Sequence, residues 1–126
     1  MVISRSKQQI GVLIMLTGLL HTGVGLILFT KYLLPILSEG VWNTVQEGQW
    51  ERGTSFWFMM FGLLFIMLGY ITDWLVRKRG ISPPAAFGWM LFALCVLGVV
   101  IMPVSGFWLG LPQAWILTRK DTLAGG

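Results

Sequence analysis

Along the chain, apolar positions gather into four long stretches set apart by short polar ones. Ile10 to Phe29 is twenty apolar or small residues, about 30 Å of helix, which matches the hydrocarbon thickness of a bilayer. Runs of this length predict membrane-spanning helices, with spans over about residues 10–31, 54–75, 85–102 and 104–118. The last is the shortest. Its fifteen residues reach only about 22 Å, a gap that local thinning or snorkelling by Arg119 and Lys120 can close; a re-entrant segment is the alternative. The first run is longer than the apolar core of a signal peptide and has no small-x-small cleavage site after it, so it is expected to stay in the membrane.

The connections differ in character. Residues 35–53 form the only long one, an expected extracytoplasmic segment holding Glu39, Glu47, Glu51 and Arg52 beside Trp42 and Trp50. Tryptophan favours the headgroup boundary, so this stretch predicts an interfacial segment with a short helix near Val41–Glu51. In VRKRGISPP the chain turns, and Pro83-Pro84 opens the third helix, where the missing N–H costs nothing. Pro103, Ser105 and Gly106 form a tight hairpin. The expected architecture is a single all-α membrane domain over 1–126, a four-helix bundle with an interfacial segment between its first two spans.

Composition agrees with that picture. Hydrophobic residues are 56% of the chain and charged residues 11%, against about 25% charged in typical soluble proteins. That is too few to give every helix a polar face. The net charge of +4 comes from short clusters at the ends of apolar runs, which is not a nucleic-acid-binding stripe. With both termini and the second connection cytoplasmic, that side carries Arg5, Lys7, Arg77, Lys78, Arg79, Arg119 and Lys120, and the other only Lys31 and Arg52. This positive-inside bias argues against a dual-topology transporter.

Small residues mark where helices can meet in lipid. Gly11, Gly18 and Gly25 recur at seven-residue spacing in the first span, and Ser55, Gly62 and Gly69 in the second. Gly88, Cys95 and Gly98 line the third, and Gly106, Gly110 and Ala114 the fourth. A compact bundle is expected, with the phenylalanines and methionines facing lipid or filling gaps. The two halves show no internal repeat, so an inverted-repeat transporter is not supported.

The residues that could carry chemistry are few. His21, the only histidine, lies mid-span at the edge of the glycine stripe and points inward. An ionisable group at this depth is a functional candidate, set against the simpler reading that a neutral His21 hydrogen-bonds a carbonyl or hydroxyl and fixes register. Glu47, Trp50 and Glu51 could cover a pocket above it, although a regular span leaves the two acids about 15 Å too high for contact. Gln113 follows Pro112, which frees a carbonyl near Trp108, and it could satisfy a neighbour or face a cavity. Asp73 and Arg77 are spaced for a helix ion pair. Cys95, the single cysteine, reads as a packing residue. No disulfide, metal site or cofactor is expected, and no nucleophile–base pair or phosphate loop is present in the sequence. No catalytic residue can be named.

GLLHTGVG around His21, WERGTSFWFMMFG at the entry to span two and PVSGFWLGLPQAWILTRK at the end resemble an uncharacterised family of small bacterial four-helix membrane proteins, domain-of-unknown-function family 6463. The resemblance covers nearly the whole chain. It implies a bacterial inner-membrane location and four spans, and it supplies no activity. Three functions stay open: a non-catalytic accessory or self-associating subunit, a binder of lipid or a small apolar molecule (an isomerase included) with His21 in its pocket, and a proton-coupled transporter acting as a dimer. The expected partners are membrane lipid and other membrane subunits or a second copy.

Overall fold

In the computed structural model, which describes residues 2–121, the chain is all-helical. Residues 1 and 122–126, and with them the two termini expected on the cytoplasmic side, lie outside the described residues. Helix α1 runs Arg5–Leu28, capped by the Ser4 side chain, which accepts from the Lys7 N–H at 3.3 Å. The chain leaves helical geometry at Phe29 and resumes as α2, Thr30–Ser38. Helix α3, Trp50–Asp73, continues through a wider π turn at Trp74–Lys78, and α4 and α5 follow at Ala85–Ile101 and Phe107–Thr118. Arg77 grips Asp73 with two hydrogen bonds of 2.6 and 3.1 Å, the ion pair that their spacing favours. Helix α1, and α3 with its π turn, are long and apolar enough to cross a membrane; α4 is a shorter apolar helix.

The segment between α1 and α3 departs from expectation. No helix forms near Val41–Glu51; the short helix lies upstream as α2, and α3 starts only at Trp50. The cause is local. Gly40, Val41, Asn43 and Gly48 have φ of 92°, 68°, 52° and 85°, and such left-handed residues cannot lie within a right-handed helix. Helix α5 is also shorter than the stretch that announced it, twelve residues from Phe107, because Pro103 to Gly106 are spent on the hairpin.

Side chains of all four long helices meet in one hydrophobic cluster, Ile10 and Ile14, Leu91 and Cys95, and Ala114 and Leu117, with Phe65 and Leu68 packed against it, but the close backbone contacts run in a row. α3 packs on α1, α1 on α5 and α5 on α4, while α3 and α4 make no close backbone approach to each other. All three contacts are antiparallel: Gly11 faces Asp73 and Gly25 faces Phe58; Lys7 meets Asp121 and Thr17 meets Gln113; Gly88 faces Leu117 and Gly98 faces Phe107. The order follows from how many faces each helix can offer. α3 has one buried small stripe, Ser55, Gly62 and Gly69, and α4 has one, Gly88, Cys95 and Gly98. α1 has two: its glycines turn to α3, and Lys7, Ile10, Ile14 and Thr17 turn to α5 and the core. α5 likewise places Gly110 against Cys95 and Gln113 against Thr17. The helices with two close-contact faces take the middle of the row. Gly106, grouped by sequence with the packing glycines, has open space where a Cβ would point; it precedes α5 and touches no neighbour there.

Candidate functional site

His21 lies between α1 and α3. Its Nε2 is 3.0 Å from the Phe58 carbonyl oxygen, and since a carbonyl can only accept, Nε2 carries the proton and donates. The ring stacks on Phe58 with centroids 3.8 Å apart and meets Phe61 edge-on at 5.3 Å. One face and one nitrogen are therefore committed to α3. Gly62 makes this possible, because a Cβ there would meet Thr22 and come within 3.0 Å of the His21 ring.

One turn before His21 on α1, Thr17 receives a 2.6 Å hydrogen bond from Gln113 Nε2 and passes its own proton to the Leu13 carbonyl at 2.8 Å. That chain of donors fixes the orientation of the Gln113 amide. Among the described residues, Gln113 Oε1 is buried without a partner. Between this pair and the Lys7 end, Ile10, Ile14 and Leu117 are wholly buried, so the polar groups do not join into a path.

Lys7 is a site that the sequence did not disclose. Read only as an orientation charge, it is 2% exposed and donates to Ser82 Oγ and Asp121 Oδ2, both at 3.2 Å. The bonds tie the start of α1, the α3–α4 connection and the segment after α5 together at one end. Burial raises the Asp121 carboxyl, but hydrogen bonding from Ser82 and Lys7 and the lysine charge outweigh it, leaving the group below the ordinary aspartate value. Nothing local in the sequence links positions so far apart.

At the opposite end a second clamp holds the segment between α2 and α3. Arg52 donates to both Glu39 carboxylate oxygens at 2.7 Å and to the Thr44 carbonyl at 2.8 Å. The guanidinium hydrogen bonds hold the Glu39 carboxyl below the ordinary glutamate range. The clamp folds residues 44–49 against the start of α3, leaving an open groove of about 560 Å³ whose walls include Val45, Glu47, Trp50, Thr54, Trp57 and Phe58.

The sequence candidates therefore fall in three places. Glu47 and Trp50 share the groove; Glu51 is exposed beside it and is not among its lining residues. Trp42 is also outside it and almost fully exposed. His21 does not line the groove. Phe58 does, and its ring stacks on the imidazole. Gln113 belongs to the α1–α5 contact. Among the described residues, no three His, Cys, Asp or Glu side chains come together in a way that could hold a metal.

The model of a family of unknown function, DUF6463, matches residues 5–124. No curated protein and no solved structure matches the chain.

Proposed function

The chain belongs to this family of unknown function, and on that premise we propose that it is a non-catalytic membrane protein whose four helices cross the bilayer as a row, serving as an accessory or self-associating subunit. Its packing is inside-out relative to a soluble protein. Lys7, Ser55, Thr72 and Gln113 are buried, while Leu20, Ile27, Leu64, Met67, Leu97 and Val100 are exposed. Only 28% of the most apolar window of α1 and 17% of that of α3 is buried within the chain. A soluble core helix would be mostly covered; here lipid is the solvent that suits the outer faces.

The single observation that carries the subunit reading is the open row. α3 and α4 make no close backbone approach to each other and keep large apolar side chains such as Leu64, Met67, Leu97 and Val100 exposed, so further helices can add at α3 or α4 without disturbing the existing contacts. The polar side chains in the apolar layer support a non-catalytic role, since His21 and Gln113 bind helix to helix and form no donor–acceptor pair with each other. The joining of Lys7, Ser82 and Asp121 supports a topology with the basic clusters and both termini on the cytoplasmic side of a bacterial inner membrane.

Reporter fusions and native mass spectrometry test the proposal. A cytoplasm-active reporter fused after Gly126 works and one inserted near Gly48 does not. In mild detergent the protein is recovered as an oligomer or with a second membrane subunit. An inactive C-terminal reporter overturns the topology, and a solitary monomer in native-membrane extracts overturns the subunit role.

A further inference from the structure

We infer that the groove between residues 45–49 and the first turns of α3 is a binding site for a lipid whose headgroup carries an ammonium. The inference goes beyond the subunit role, and it rests on the membrane reading for its ligand. The groove wall combines the apolar side chains of Val45, Trp50, Trp57 and Phe58 with neutral polar ones such as Gln46 and Thr54, and carries one carboxylate, Glu47. Its volume, about 560 Å³, lies within the common range for small-molecule sites, about 300–1,000 Å³.

Charge chooses the headgroup. Arg52, the nearest cation in sequence, is spent on Glu39 and Thr44. Among the described residues neither Glu47 nor Glu51 forms a salt bridge. Glu51 occupies the first turn of α3, where it already answers the positive end of the helix. The uncompensated charge at the groove is therefore negative. An ammonium gains both from that carboxylate and from the faces of Trp50 and Trp57; an anionic headgroup gains from neither.

The site is also built before any ligand arrives. The Arg52 clamp and the left-handed residues at 40, 41, 43 and 48 set the path of the segment between α2 and α3, so little ordering is left for binding. At the start of a membrane helix the groove sits where headgroup gives way to acyl chain. A tail can lie on Trp57 and Phe58 with the ammonium beside Glu47.

The full chain in mild detergent is titrated with phosphatidylethanolamine and phosphatidylglycerol of identical acyl chains, and bound lipid is counted by native mass spectrometry. The ethanolamine lipid is retained about fivefold better, as one exposed ion pair at its upper range allows. Glu47→Gln removes the preference without changing the helical melt, Glu51→Gln keeps it, and Trp57→Ala weakens both lipids. Equal retention by the unmodified protein, or a preference that survives Glu47→Gln, overturns the inference. A chain that crosses the membrane but shows no preference loses only this site. One that fails the reporter test loses the membrane reading, whatever lipid it retains.

Discussion

Gly69→Ala is the sharpest test of the α1–α3 contact. A Cβ at Gly69 would lie 2.5 Å from Met15 N, 2.6 Å from Met15 Cγ and 2.7 Å from Gly11 O. Two of these are backbone atoms of α1, so no rotamer change relieves them and the helices must part. Overpacking of this kind costs about 1–3 kcal/mol, partly offset by the gain of about 0.8–1 kcal/mol that alanine brings to a helix interior. The net expectation is a loss of roughly 0–2 kcal/mol, and a gap of about 1–3 kcal/mol from a variant that gains the propensity without the clash. Gly23→Ala is the matched control: the residue also lies in a long helix, in α1, and its added Cβ would meet nothing within 4 Å. Thermal unfolding in mild detergent, followed by circular dichroism, should show Gly69→Ala melting several degrees below Gly23→Ala, at about 2–8 °C per kcal/mol, with Gly23→Ala unchanged or slightly higher than the unmodified chain. Equal melting of the two variants would refute the reasoning, because helix propensity alone treats both glycines alike.

Three further outcomes are expected. His21→Phe, which keeps stacking on Phe58 but has no donor for its carbonyl, should cost about 1 kcal/mol, and His21→Ala, which loses both, about 2–3 kcal/mol; denaturant titration reads the difference, and two silent variants would end the role of His21 as a link between α1 and α3. A double-mutant cycle of Thr17→Val and Gln113→Leu should give a coupling near 0.6 kcal/mol, the usual value for interhelical hydrogen bonds in membranes, and zero coupling would contradict the α1–α5 bond. Because Arg52 lowers the Glu39 pKa in the folded chain, the clamp's contribution is present above the ordinary glutamate value and is lost as pH falls through the lowered one. Glu39→Gln should flatten that acid limb of the stability profile, and an unchanged limb counts against the clamp.

The sequence disclosed some of this and hid the rest for identifiable reasons. Gly11, Gly18, Gly62 and Gly69 stand out at heptad spacing, and in the structure a Cβ at any of them would collide with the facing helix. A stripe of small residues announces a close approach but does not name its partner, so the row order was not legible. That α1 has two faces emerges only when Lys7, Ile10 and Ile14 are seen to be buried. The inward aim of His21 could be read from helical angle; its acceptor could not, since a backbone carbonyl such as that of Phe58 leaves no mark in a sequence. The short helix lies about ten residues upstream of its expected place because the tryptophans and acids of 41–51 suit an interface, whereas the positive φ at Val41 has no signature in a β-branched residue, which normally avoids it. The groove candidates Glu47 and Trp50 lie close in sequence, and that locality made them visible. Lys7 and Asp121 had no such help.

The central claim is the order α3–α1–α5–α4, with α3 and α4 at opposite edges. Spin labels at Met67→Cys and Met90→Cys, in a Cys95→Ala background diluted with unlabelled protein in lipid discs, measure it by double electron–electron resonance. Both positions are exposed on their helices. Three interaxial steps of about 8–10 Å put the labels on the order of 25 Å apart or more. A distribution centred near a single step, about 10 Å, would mean a closed bundle and would contradict the row.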